Sequence, residues 1–217
     1  MNKITFKLLN YYKTYNKENN QPYECKPVNH SKVKLNIYFG LPGAGKSTYA
    51  SFLAVNDMKR GKAVFSNFPI TGAFKLDPKE DLGVYDVSNC RILLDEASVE
   101  FNNRDYKNFS KRLIKFFKYH RHHEAIVDVF SQAPDDIDIT IRRLAYNCYW
   151  IRKGLLPWFI TITPIKRTLD DKEGELKSAY VISRSIFSRK IVFTPPYWKY
   201  FNTLSKEDLP KKYWEKY

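Results

Sequence analysis

The spacing of apolar residues changes several times along the chain, and each change marks an element. Residues 1–32 are polar, rich in Tyr and Asn, and carry Pro22 and Pro27, which predicts a loose N-terminal arm. Val33 to Phe39 alternates and is β-branched, so it reads as a strand. A glycine-rich turn at 40–46 leads into a helix from Ser47 to Lys59, closed by Gly61. KAVFSN (62–67) is a second strand, and a loop with Pro69, Gly72 and Pro78 follows. CRILLDE (90–96) is a third strand, whose unbroken apolar centre suits a parallel strand covered on both faces. From Phe109 to His123 the pattern is helical, with Phe109, Leu113, Phe116, Phe117 and His120 on one side. AIVDVFSQ (125–132) is a fourth strand, and Ile137 to Leu144 is a short helix. Tyr146–Arg152, Trp158–Thr163 and Tyr180–Phe187 read as further strands, with a charged turn at DDKEGE (170–175). Strands alternating with helices predict one α/β domain over 33–190, a mostly parallel sheet with helices on both faces. Residues 191–217, with Pro195, Pro196 and Pro210, are left as a C-terminal tail.

Charge narrows the function classes. Lys and Arg number 37 against 23 Asp and Glu, a net charge of +14, which favours an anionic partner such as nucleic acid or an acidic membrane surface. A generally basic, solvated surface would give the same number. The 43% hydrophobic content excludes a wholly disordered chain. Cys25, Cys90 and Cys148 form neither a CxxC pair nor an even disulfide set, which fits a reducing compartment. No leader pattern and no apolar run of membrane-spanning length is visible. GLLPWFITITPI (154–165) is broken by Pro157 and Pro164 and reads as a strand.

The stretch GLPGAGKST (40–48) fits the pattern GxxxxGK[ST] between a strand and a helix. Gly40, Gly43 and Gly45 let the backbone curl around phosphate oxygens, with Pro42, Ala44 and Thr48 completing the cradle, and the following helix end adds a positive field. Lys46 is placed to reach the β- and γ-phosphates of ATP, and Ser47 to offer its hydroxyl to Mg²⁺. In ILLDE, Asp95 can hold Mg²⁺ through its water shell, and Glu96 can polarise an attacking water. A hydrolase needs that water activator, whereas a kinase does not. Gln132, at the end of a strand beside the nucleotide strand, is a candidate to sense the γ-phosphate or orient the water. The phosphate loop alone also fits a P-loop small-molecule or polynucleotide kinase, and a non-catalytic nucleic-acid-binding scaffold with a relic loop is a third reading. No arginine-bearing lid segment stands out, and intact Lys46, Ser47, Asp95 and Glu96 argue for an active hydrolase.

GLPGAGKST, SNFP (66–69), LLDEA (93–97) with FNNR (101–104), and FFKYHRHHEAIVDVFSQ (116–132) together resemble the Zot-like proteins, named for zonular occludens toxin, near the FtsK–HerA motors. The resemblance covers roughly residues 33–152. It implies a P-loop NTPase of the additional-strand, catalytic-glutamate type, with KAVFSN as the extra strand between the two nucleotide motifs. It further implies an ATPase for phage assembly that moves single-stranded DNA, acting as a homo-oligomeric ring in the host cytoplasm and recruited to the inner face of the membrane. Family members of that kind carry a membrane segment after the ATPase domain. None is visible here, so a separate membrane or virion partner is expected.

A ring implies an arginine that reaches a neighbour's γ-phosphate, and Arg142, Arg143 and Arg104 are candidates; a surface basic pair is the competing reading of Arg142 and Arg143. Residues 101–123 hold seven cationic side chains against Asp105 alone, interleaved with Tyr106, Phe109, Phe116 and Tyr119. Lys107, Lys111, Lys115, Lys118 and Arg121 are therefore candidates for contacts to single-stranded DNA. A solvated amphipathic helix would look similar. HRHH (120–123) offers no second ligand pair at zinc spacing and reads better as a cationic helix end.

Overall fold

The computed structural model describes residues 25–96, 111–172, 175–182 and 188–201. Strands β1 (Leu35–Phe39), β2 (Ala63–Ser66), β3 (Phe74–Lys75), β4 (Cys90–Leu94), β5 (Ile126–Ser131), β6 (Asn147–Lys153), β7 (Phe159–Lys172), β8 (Glu175–Ile182) and β9 (Lys190–Phe193) join in one sheet among the described residues. Its order is β3-β2-β4-β5-β1-β6-β7-β8, with β9 also paired to β7. The pairs from β3 to β6 are parallel. Those of β7 with β6, β8 and β9 are antiparallel.

All five residues of β1 are buried, as expected of a central parallel strand covered on both faces. Side chains alternate across the sheet, so two cores form. Leu35, Ile37 and Phe39 pack with Ile92, Val127 and Val129 under helices α2 (Lys111–Tyr119) and α3 (Ile139–Leu144), which contribute Leu113, Phe117 and Ile141. Tyr38 faces the other way, against Tyr49, Ala50 and Ala54 of helix α1 (Lys46–Met58). There it stacks on Phe130 at 4.9 Å and Tyr149 at 5.0 Å between ring centroids.

The strand inserted in space between the phosphate-loop strand β1 and the Asp-Glu strand β4 is β5, not KAVFSN, which forms β2 on the far side of β4. Parallel partners need long crossovers, so order along the chain does not give order in the sheet. Tyr119 ends α2, and His120 to Glu124 form a turn, with the Ala125 N–H donating to the His120 carbonyl at 3.1 Å. Residues 109 and 110 lie outside the described residues. The charged stretch at 170–175 is mostly ladder: Asp170 stands in register with Lys177 and Lys172 with Glu175. The expected strand 180–187 is described only to Ile182, as part of β8.

Residues on both sides of the expected 33–190 span pack on the fold. Residues 25–32 are fastened to it, with Cys25 and Val28 buried and the Val28 N–H donating to Asn89 Oδ1 at 2.5 Å. Residues 1–24 of the arm lie outside the described residues. The proposed tail starts inside β9, and the 3₁₀ turn Pro195–Tyr200 packs on α1, Tyr197 meeting Phe52 at 5.1 Å.

A polar row crosses the α1 face near the amino ends of the strands. Arg91 on β4 donates from Nη1 to Asp128 on β5 and from Nε to Asp57 on α1 at 2.6 Å. Asn36 on β1 donates to the other oxygen of Asp128 at 2.8 Å, and Asn147 on β6 donates to Asn36 at 2.9 Å. Burial works to lower the Arg91 pKa, but Asp128 and Asp57 override it and hold the guanidinium above its usual range. The row links four parallel strands and the phosphate-loop helix in one register.

Candidate functional site

The site lies at the carboxyl ends of the parallel strands, where open α/β sheets receive ligands. β1 ends at Phe39 and the chain turns through Gly40–Gly45 into α1. A Cβ on Gly40 would lie 2.8 Å from the Ile151 carbonyl oxygen, so only glycine lets β1 and β6 stay this close. Gly45 caps α1 at φ 97°, in the left-handed region, and no side chain caps the helix. The first-turn N–H groups of α1 therefore face the loop without intrahelical acceptors, the local geometry that holds a phosphate. Ala44 and Thr48 have buried side chains, and the Ala44 N–H donates to the Leu41 carbonyl at 3.0 Å, which tightens the loop.

Lys46 folds back over the loop, donating from Nζ to the Gly40 carbonyl at 2.8 Å and the Leu41 carbonyl at 3.3 Å. Desolvation lowers its pKa, and Asp95 and Glu96 pull it back up. Ser47 Oγ donates to Asp95 Oδ2 at 2.7 Å, which joins the first turn of α1 to the end of β4. This hydroxyl and carboxylate form a hard-oxygen pair beside the loop, a donor set that fits Mg²⁺. Asp95 is itself fixed: its N–H donates to Asn67 Oδ1 at 2.8 Å, and Asn67 Nδ2 donates to its carbonyl at 2.9 Å. Glu96 is exposed and sits at φ 51°, unusual for a residue with a side chain. Its N–H donates to Asp95 Oδ1 at 2.9 Å. Gln132 is exposed immediately after β5, and the Gly40 N–H donates to the neighbouring Ser131 carbonyl at 3.2 Å. Gly40, Pro42, Gly43, Gly45, Lys46, Ser47, Asp95, Glu96 and Gln132 thus converge at one end of three adjacent strands.

The remaining candidates lie elsewhere. Arg142 and Arg143 occupy the last turn of α3, which leads to Tyr146 and its hydrogen bond to the Leu35 carbonyl at 2.8 Å. The helix thus leads from the segment after β5 back to the start of β1. Arg142 is paired with Asp135 at 3.1 Å, whereas Arg143 is exposed. Lys107 and Arg104 lie outside the described residues. Lys111 opens α2, and Lys115, Lys118 and Arg121 are exposed on or just beyond it, on the sheet face away from α1. Phe116 is buried in the core and offers no stacking surface, but Tyr119 is 48% exposed. A groove of about 620 Å³ runs between α2 and the loop before β4, lined by Tyr85, Arg112, Lys115, Tyr119 and His122. His123 packs on the buried Phe116 at 5.6 Å.

Sequence reasoning missed Asn67, although it stands in the quoted SNFP at the end of the strand next to β4.

No protein-family model matches the chain, and no curated protein does. Among solved structures, the N-terminal domain of zonular occludens toxin from Neisseria meningitidis is similar at a TM-score of 0.55 and 17% identity, over 79% of this chain and 100% of that one. The chain has the Zot-type P-loop NTPase fold. The genome-packaging NTPase B204 from Sulfolobus turreted icosahedral virus 2, in complex with ATP-gammaS, is similar at 0.45 and 12% identity, over 70% of this chain and 99% of that one. The flagellar accessory protein FlaH from Methanocaldococcus jannaschii gives 0.40 at 14% identity, over 69% and 90%. Among the described residues no helix is long and apolar enough to cross a membrane.

Proposed function

We propose that the chain is a Mg²⁺-dependent ATPase that moves single-stranded DNA during virus assembly, packaging or export, working as a homo-oligomeric ring. The observation that carries the ATPase reading is the Ser47–Asp95 hydrogen bond, with Glu96 one residue on and Lys46 one residue before. Ser47 and Asp95 would hold Mg²⁺, which supplies charge neutralisation between the β- and γ-phosphates. Lys46 exchanges its loop carbonyls for phosphate oxygens. Glu96, projecting beyond Asp95, accepts the proton of the attacking water. Gln132, exposed just after β5 at the same end of the sheet, would orient that water.

In a ring, an exposed arginine can serve a neighbour's loop, and Arg143 is the more exposed of the pair. The DNA part of the reading rests on the resemblance and on the exposed cations of α2. A separate membrane or virion partner and a place at the inner face of the host membrane follow from the same resemblance.

Salt-dependent DNA binding tests the DNA part. Replacing Lys111, Lys115 and Lys118 by Gln removes up to three phosphate contacts. Each lost contact is expected to flatten the slope of log affinity against log salt by about 0.7. Tyr119→Ala is expected to weaken binding with little change in slope, because stacking releases no counterions. Titration of labelled oligonucleotides at several salt concentrations reads both. Wild-type affinity and slope in the triple variant would show α2 to be a solvated face.

A further inference from the structure

The phosphate loop has a wall on the side away from Asp95. β6 runs parallel to β1, with Trp150 in register with Phe39, so Ile151 stands beside Gly40 and the strand continues past the loop to Lys153. There it turns through Gly154–Trp158 and returns as β7, Lys153 pairing with Ile160. Ile151, Lys153 and Ile160 share the α1 face of the sheet, on which the loop lies. Each meets a loop glycine: a Cβ on Gly40 would lie 2.8 Å from the Ile151 carbonyl oxygen, one on Gly45 2.8 Å from Ile160 Cγ2, and one on Gly43 4.0 Å from Lys153 Nζ.

This wall is held in place. The Gly154 N–H donates to the Phe159 carbonyl at 2.7 Å, and the Phe159 N–H to the Leu156 carbonyl at 3.1 Å. Thr194, after β9, donates to the Trp158 carbonyl from its N–H at 2.8 Å and its hydroxyl at 2.9 Å. The tip is nevertheless apolar outward: Leu155 is fully exposed and Leu156 and Trp158 are about half exposed, with Leu41 of the loop 66% exposed as well.

Direction decides what such a wall receives. Ser47, Asp95 and Glu96 put the metal and the γ-phosphate on the β4 side of the loop. A nucleotide lying across the loop then carries its nucleoside toward β6. We propose that the β6–β7 hairpin is the nucleoside-side wall of the nucleotide site, where Lys153 gives the phosphates a second cation and the apolar tip receives the base. This rests on the nucleotide reading above. Side chains at 154–158 offer the base edge no hydrogen-bonding group except the Trp158 indole N–H. A site that holds a base by contact alone cannot reject a purine that differs only in its polar edge groups, so adenine and guanine nucleotides bind with similar affinity.

Equilibrium binding of ADP, GDP and inorganic pyrophosphate to the full chain, by calorimetry, tests the proposal. Lys153→Met is expected to raise the Kd for ADP and pyrophosphate alike, by about tenfold for one charge-assisted contact, and Lys153→Arg to restore most of it. Trp158→Ala is expected to weaken ADP and GDP by similar factors and to leave pyrophosphate unchanged. In wild type the ADP and GDP constants are expected to agree within about fivefold. Because both side chains are exposed, unchanged thermal unfolding of the variants checks that the fold is intact. Lys153→Met binding as wild type does, Trp158→Ala weakening pyrophosphate as much as ADP, or GDP binding far more weakly than ADP each overturns the proposal and leaves the ATPase reading standing. A wild-type chain that binds none of the three overturns both.

Discussion

Glu96→Gln is expected to bind ATP as tightly as wild type and to hydrolyse it about 10²–10⁴-fold more slowly, the usual contribution of a positioned general base. Glu96 is exposed beyond the end of β4, and its backbone N–H donates to Asp95. The amide keeps the size and reach of the side chain but cannot take a proton from water. Substrate affinity stays because the phosphates are held by the loop, Lys46 and the first turn of α1. Asp95→Asn is expected to behave differently. It weakens the pair with Ser47 and the hold on Mg²⁺, so it shifts the magnesium dependence of turnover as well as its rate. Single-turnover phosphate release with a parallel nucleotide-binding titration separates the two. Wild-type turnover in Glu96→Gln would remove the residue from the chemistry.

Asp128→Ala is expected to cost about 3–5 kcal/mol of stability, the penalty for leaving a buried partner charge uncompensated. Asp128 is completely buried, accepts from Arg91 and Asn36, and stands on the strand inserted between β1 and β4. Without it, Arg91 keeps Asp57 but loses its second carboxylate, and Asn36 loses its acceptor. Asp128→Asn keeps the shape and an acceptor for Asn36, so it is expected to cost less. Urea unfolding midpoints of the three proteins give the comparison. A loss below about 1 kcal/mol in Asp128→Ala would mean that the row is not a buried ion network.

This network shows where the sequence is hard to read. Asp128 interrupts an otherwise apolar strand, yet nothing local says that its partners are Arg91 and Asn36, 37 and 92 residues away. The sheet order was hidden for the same reason. Apolar runs name β1, β4 and β5 as buried strands, but they do not say that β5 slides between the other two. The phosphate loop was legible because its chemistry is local: three glycines, Lys46 and Ser47 stand within eight residues, directly after a strand. Asp95 and Glu96 were legible because acidic residues at the end of an apolar strand have few other uses beside such a loop. The place of Lys153 beside Gly43 was not, since it depends on a hairpin set next to the loop by the β1–β6 pairing. Residues from 191 on looked like a tail because Pro195, Pro196 and Pro210 make a poor helix former. Four residues of β9 and one 3₁₀ turn are enough to fasten residues 190–200 to β7 and α1.

The most direct measurement is phosphate release from ATP in the presence of Mg²⁺, by the wild-type chain and by Lys46→Ala, each with and without single-stranded DNA. The account predicts release by wild type that requires magnesium and rises when single-stranded DNA is added, and background release by Lys46→Ala under every condition. Wild-type release no greater than that of Lys46→Ala would contradict it.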